Sequence, residues 1–243
     1  MWGSTYKISG GEYDSLKAPT CVVLLVKYPE KGKVKVRLLK QIEGDSVVEL
    51  YRIFVLDMVS MLDRASIQYM ICYRPKSALK KFEKWLGFEH TYLPQRGRGM
   101  GQMLKNAFID TYSRGFRSVI VIASDCPDLS EEMLREAIVA LENHSAVIGP
   151  SPDGGYYLIG FTQDAFSPET FEAVTWSTEK VFKETISKLK GQRQSIHILP
   201  EWSDVDTFND LKYLFERNQD SKFNSSKTMK MLYDRSTLWF KKN

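Results

Sequence analysis

Cysteine and histidine are scarce in this chain, three of each among 243 residues, and neither kind is clustered. Cys21, Cys72 and Cys126 make an odd count with no CxxC pair, which argues against a disulfide framework and a structural zinc site and fits a reducing compartment. His90, His144 and His197 stand in unrelated contexts and read as satisfied or surface residues rather than metal ligands. No stretch approaches the roughly 18 uncharged apolar residues that a membrane helix needs, and the first 19 residues lack the apolar run of a signal peptide. A cytoplasmic protein is expected. Neither a Walker A sequence nor a G-x-S-x-G elbow is present. Cys126 has no neighbouring base in the sequence to activate its thiol, so it is not expected to act as a nucleophile.

A net excess of either charge is also missing from the body of the chain. The formal net charge is +4, but residues 216–243 alone hold seven Lys/Arg against three Asp/Glu. The rest is formally neutral, and a nucleic-acid partner has little support. Composition is 43% hydrophobic, enough to bury one sizeable core. The expected organisation is a loosely held extension over 1–19 ending at Pro19, one domain over 20–216, and a basic extension over 217–243. Within that extension the apolar stretch Met229 to Phe240 could dock on the domain or on a partner.

The run TCVVLLV, from Thr20 to Val26, is continuous, apolar and β-branched, the pattern of a strand covered on both faces. Shorter apolar runs follow at Ile67 to Cys72, Ser118 to Ala123, Ala146 to Ile148, Tyr156 to Ile159 and Ile196 to Leu199. Between them apolar residues recur at helical spacing: Val47, Tyr51, Phe54, Met58 and Met61; Met100, Met103, Leu104, Ala107 and Phe108; Leu134, Ala137, Ile138 and Leu141. Alternating strands and helices predict an α/β fold on a mostly parallel sheet. Ligands then gather at the carboxyl ends of the strands.

Six segments at or near those ends could carry chemistry. KYPEKGKVKVR, Lys27 to Arg37, carries five cations around Gly32, suited either to polyphosphate or to a solvated basic surface. PQRGRGMG, Pro94 to Gly101, spaces three glycines ahead of a helix, either to admit a ligand to the backbone or as a flexible link. SDCPDL, Ser124 to Leu129, places Asp125 at the end of a buried strand, able to hold a hard cation through oxygen, with Asp128 either near enough to help or a polar residue of the turn. Ser130 is the expected cap of the following helix. GPSPDGGYYLIG, Gly149 to Gly160, turns through Asp153, Gly154 and Gly155, and WST places Trp176 beside a substrate or in packing, with Thr178 as the expected cap of the next helix. In WSDVDTF, Trp202 to Phe208, either Asp206 or Thr207 caps a helix. If Asp125 and Asp206 meet across the sheet, they form a two-carboxylate site for a metal that also bridges phosphate oxygens.

Those motifs, in that order, resemble the small GT-A-like transferases once grouped as a domain of unknown function, also called arsenosugar-biosynthesis-type glycosyltransferases, of the nucleotide-diphospho-sugar transferase superfamily. The resemblance runs from Thr20 to about Phe215, roughly four-fifths of the chain. It implies a single three-layer α/β/α domain with a mostly parallel mixed sheet. Lys27, Lys35 and Arg37 are implied in catalysis on the phosphates, with Gly32, Lys33, Gln95, Gly97, Gly101 and Ser124 around the nucleotide. Asp125 and, by analogy with cytidylyltransferases, Asp206 would hold Mg²⁺ or Mn²⁺. The acceptor would lie against Asp153, Gly154, Gly155, Tyr156, Trp176 and Ser177.

The chain departs from the family pattern at Val36, where a Thr is usual, at Gln102-Met103-Leu104, where Glu-Arg-Met is usual, and at Phe208 in place of Pro. The expected function is metal-dependent transfer from a nucleotide-sugar or an NTP to a small-molecule acceptor, without a nucleic-acid or membrane partner and with self-association left open. The alternative is a degenerate relative that binds nucleotide or a protein without turnover.

Overall fold

The computed structural model describes residues 20–240; the expected N-terminal extension lies outside them. Seven strands are β1 (Thr20–Lys27), β2 (Tyr69–Arg74), β3 (Tyr92–Pro94), β4 (Ser118–Ala123), β5 (Ala146–Pro150), β6 (Tyr156–Thr162) and β7 (Ile196–Ile198). The α-helices are α1 (Gly44–Arg64), α2 (Leu79–Leu86), α3 (Gly99–Tyr112), α4 (Glu131–Asn143), α5 (Val181–Gly191), α6 (Phe208–Arg217) and α7 (Lys227–Trp239).

One sheet has the order β3-β2-β1-β4-β6-β5-β7. Its pairs are parallel except where β6 runs against both β4 and β5. The mostly parallel mixed sheet is thus present, as are all six strands read from apolar runs. β3 and α2 were not anticipated. The short strand YLP and the single amphipathic pair of turns around Phe82 and Leu86 are too brief to yield a period.

Alternation along β1 divides the interior. Val22, Leu24 and Val26 join a layer built with α1, α2 and α4. Cys21 and Val23 face the opposite layer, built with α3, α5 and the buried Phe171. This is the three-layer arrangement, and it explains why β1 reads as unbroken apolar sequence.

Helix α1 is apolar on two sides for a separate reason. Tyr51, Val55, Met58 and Leu62 face the sheet, while Val47, Leu50 and Phe54 meet Leu211 and Leu214 of α6 and Met229, Leu232 and Trp239 of α7. The apolar stretch beyond residue 228 therefore docks on the domain itself. Its seat includes one polar anchor: the buried Asp57 carboxylate accepts from the Lys227 and Thr228 amides, at 3.1 and 2.8 Å, and Ser226 Oγ accepts from Met229 N. A carboxylate on the free N–H groups of a helix start is favourable through both hydrogen bonding and the helix dipole. Asp57→Ala is expected to cost about 1–2 kcal/mol, read as a lowered urea midpoint with unchanged slope.

Candidate active site

The loop after β1 folds back on itself and then turns into the cleft. Lys27 Nζ donates to Lys33 O at 2.5 Å. Lys35 adopts the left-handed region, φ 44 and ψ 44, and begins a short 3-10 turn over Val36–Lys40. For a non-glycine residue this costs about 1 kcal/mol. It is held because Leu38, fully buried, is fastened into the α1/α6/α7 core. The twist leaves Val36 exposed and drives the Lys35 side chain inward, where only 4% of it reaches solvent.

There Lys35 Nζ lies 2.7 Å from Asp125 Oδ1 and 3.0 Å from Asp206 Oδ1. Arg37 Nη1 approaches the other Asp206 oxygen at 3.4 Å. The two distant acidic stretches thus converge beside the first loop's cations. Burial would lower the Lys35 pKa, but Asp125 and Asp206 outweigh it and hold the ammonium above the ordinary lysine range. Burial would likewise raise Asp206, yet the Lys35 charge and hydrogen bond, helped by Arg37, keep it below the usual carboxylate range.

Backbone bonds set this convergence. Val205 N donates to Asp125 O at 2.9 Å, and Trp202 N to Pro150 O at 3.1 Å. Of the two candidate caps of α6, it is Thr207 that serves. Its hydroxyl accepts from Asp210 N, and Asp210 Oδ2 accepts from Thr207 N and Asp206 N. The Asp206 side chain is therefore free for the cations. Ser130 caps α4 as expected. Thr178 does not cap α5: the helix starts at Val181, and the Thr178 hydroxyl instead donates to Thr175 O.

Two cavities share this wall. The first, about 230 Å³, is lined by Lys27, Lys33, Lys35, Arg74, Gln95, Ser124, Asp125 and Asp206, among others. Lys27 is pushed below the ordinary lysine pKa by burial and by the nearby charges of Arg74 and Lys33. Lys27, Lys33 and Arg74 crowd together there, Glu30 pairs with Lys33 at 2.6 Å, and the cations left over suit an anion. Ser124 is buried with its hydroxyl 2.9 Å from that of Tyr51, which accepts from Lys27 N at 3.1 Å. Gln95 Nε2 donates to Cys72 O.

The second cavity, about 470 Å³, is lined by Arg37, Asp153, Gly155, Tyr156, Trp176, Ser177 and Asp206 with an apolar floor that includes Leu104 and Val121. Asp153 accepts from Ser151 Oγ and Gly155 N. Ser177 is in the left-handed region, φ 63. Tyr156 contributes its ring, T-shaped to Trp176; its hydroxyl is buried beside Thr185.

Three expectations need correcting. Gly97 and Gly101 line neither cavity. Gly97, φ 102, lets the loop fold onto Gln102 and Asn106, and a Cβ on Gly101 would sit 2.5 Å from Phe171 O and 2.8 Å from Trp176 Nε1. Gly154, φ 85, is packed on the Glu179 backbone and is not among the cavity's lining residues. Gly32, φ 73, turns the first loop in open space. Asp128 does not help to hold a cation: it is turned into the protein, its side chain 1% exposed and paired to Arg217. Cys126 is buried, and burial first and neighbouring aspartates second raise its pKa well above the usual thiol value, so it is no nucleophile.

The sequence reading missed Arg74, Tyr51 and Asp204. Arg74 had a partial signal, as the cation just past the apolar run Ile67 to Cys72, but its place beside Lys27 comes from the register of β2 on β1. Asp204, raised to about 6 by burial and then by Asp206, is the other carboxylate of WSDVDTF and lines neither cavity.

Asp125 and Asp206 supply hard oxygen donors that already meet around one cation, the Lys35 ammonium, so the residues present suit Mg²⁺ or Mn²⁺ in kind. Among the described residues no group of three or more His, Cys, Asp and Glu could hold a metal by itself. The remaining ligands would be water and phosphate, the ordinary condition of Mg²⁺ in phosphate-handling sites.

Sheet order, layering and a cleft at the strand carboxyl ends define a fold of the nucleotide-diphospho-sugar transferase class. A crystal structure of a proposed nucleotide-diphospho-sugar transferase from Desulfovibrio desulfuricans G20 superposes with TM-score 0.89 at 38% identity, over 93% of this chain and 98% of that one. Residues 57–178 match the family model described as "Uncharacterized protein conserved in bacteria", DUF2064. The chain belongs to that family.

More distant structures share the fold alone. A 4-diphosphocytidyl-2C-methyl-D-erythritol synthase of Anaerococcus prevotii has TM-score 0.55 at 11% identity, over 83% of this chain and 99% of that one. Rv0371c of Mycobacterium tuberculosis H37Rv, crystallised with manganese, has TM-score 0.51 at 15% identity, over 82% and 98%. No match was found among curated proteins. Among the described residues no helix is long and apolar enough to cross a membrane.

Proposed function

We propose that this chain is a transferase that takes a nucleotidyl or glycosyl group from an NTP or nucleotide-sugar and passes it to a small acceptor, with Mg²⁺ or Mn²⁺ at Asp125 and Asp206. The observation that carries the reading is the meeting of Asp125, Asp206, Lys35 and Arg37 between two cavities of unequal character. Lys27, Lys33 and Arg74 line the first cavity and neutralise phosphate oxygens there. Asp153, Gly155, Tyr156, Trp176 and Ser177 line the second and seat the acceptor, with Trp176 as an apolar wall. The metal, when bound, stabilises negative charge on the donor phosphates. Lys35 and Arg37 stand at the boundary, where charge builds up as the bond to the leaving group breaks, and stabilise it without reorganising. The relative at 38% identity, itself described as a proposed nucleotide-diphospho-sugar transferase, supports this reading.

A thermal-shift panel of nucleotides and nucleotide-sugars, with and without Mn²⁺, tests it. A true donor at 100 times its Kd adds about 2.7 kcal/mol of stability, and that gain should require the metal. Absence of any metal-dependent shift, together with no pyrophosphate release or nucleotide-sugar turnover over a broad acceptor set, would refute the proposal.

A further inference from the structure

The loop that brings Asp206 to Asp125 is tied at its back to a buried ion pair outside both cavities. Asp128 and Arg217 meet through two parallel bonds, Nε to Oδ2 and Nη2 to Oδ1, each 2.8 Å. The side chains are only 1% and 14% exposed. Asp128 also accepts from Asn218 Nδ2 at 2.7 Å and from Trp202 Nε1 at 3.2 Å. Arg217 in turn donates to Ser203 O at 3.1 Å, and its guanidinium lies between the rings of Trp202 and Tyr213, about 5 Å from each.

The position of this junction in the chain gives it a consequence for the site. Asp128 stands three residues after Asp125, in the same turn. Trp202 and Ser203, both gripped by the pair, stand four and three residues before Asp206. Arg217 ends the helix that begins just after Asp206. The junction therefore holds the turn behind one acidic residue against both flanks of the other. A bidentate guanidinium–carboxylate pair fixes orientation as well as distance, and its burial makes it intolerant of losing one partner.

We infer that Asp128 and Arg217 are positioning residues, which set the separation of Asp125 and Asp206 and thereby their shared grip on Lys35 and on any cation that replaces it. The inference rests on the proposed site for its use in transfer, but the geometry itself can be read without any ligand.

The readout is the Lys35 side-chain ammonium in a ¹H–¹⁵N spectrum at low temperature, assigned by its loss in Lys35→Met. Buried and doubly paired, that ammonium should exchange slowly enough to be seen. Arg217→Lys keeps the charge but loses the planar fork. The double variant Asp128→Asn with Arg217→Gln removes both charges and leaves no unpaired buried ion. In both the Lys35 resonance should shift strongly or disappear, and Mg²⁺-pyrophosphate binding measured by calorimetry should weaken about 10- to 100-fold. Leu232→Ala, which loosens α7 far from the cavities, should leave both readouts as in the wild type.

A Lys35 signal and pyrophosphate affinity within twofold of wild type in the folded Arg217 variants would overturn the inference. Loss of the cooperative melt in both would make the pair a folding element and overturn it equally. If wild-type protein fails to bind Mg²⁺-pyrophosphate, the proposed function is in trouble, while the Lys35 resonance still decides the positioning role.

Discussion

Lys35→Met is expected to lower transfer about 10²- to 10³-fold while making the protein a tighter binder of Mn²⁺ alone. The first effect follows from removing a buried cation at the boundary of the two cavities, a preorganised charge that water would replace poorly. The second follows from the same contacts taken the other way. In the ligand-free protein the ammonium occupies the point where Asp125 and Asp206 converge, at 2.7 and 3.0 Å, and so competes with any cation for their oxygens. Methionine fills a similar volume without charge, leaving two carboxylates with Arg37 as the remaining partner at 3.4 Å. Their repulsion is relieved by a divalent ion. An affinity gain of about tenfold or more, roughly 1.4 kcal/mol, should be seen by electron paramagnetic resonance of free Mn²⁺. The melting temperature of the variant should also rise with Mn²⁺ more than that of the wild type. Weaker Mn²⁺ binding in the variant would mean that Lys35 helps the ion rather than holding its place.

Deleting residues 227–243 is expected to destabilise the whole domain. The deletion strips Met229, Leu232 and Trp239 from the outer side of α1 and uncovers Leu50 and Phe54, both fully buried in the intact chain. Losing a buried Met or Leu side chain costs about 2–5 kcal/mol and a Trp about 3–5. Even the low ends together fall within the roughly 5–15 kcal/mol that holds a typical domain folded. A fall in Tm of at least about 15 °C, or loss of soluble protein, is the expected result. A truncated chain melting within a few degrees of the full one would show that α7 adds little. The same deletion leaves every lining residue of both cavities in place, so any loss of binding it causes should track the unfolded fraction.

Much of this molecule could be read from residue order because its signals are local. Six of the seven strands among the described residues show themselves as apolar runs, and for those buried on both faces no partner's identity is needed to recognise them. Asp125 was placed by the same logic, as the carboxylate next after the buried run SVIVIA. The helix caps were partly legible: Ser130 serves as expected, while Thr178 turns its hydroxyl to Thr175 instead. A cap is decided by backbone angles that sequence only biases.

What depended on contact between distant segments was hidden. Arg74 acquires its place beside Lys27 from the register of β1 on β2, and Tyr51 of α1 meets the Ser124 hydroxyl, 73 residues further on, only once the chain is folded. Asp128 illustrates the limit well. By sequence it is a second carboxylate next to Asp125, suited to the same cation. Its direction is reversed by Arg217, 89 residues further on. The order of residues by itself determined the layers, the strand ends and the chemical kind of the candidate site, because burial and periodicity are properties of short segments. Only the tertiary structure decided which charges meet, because a charge 3 Å away outweighs many further off, and nothing local records who that neighbour is.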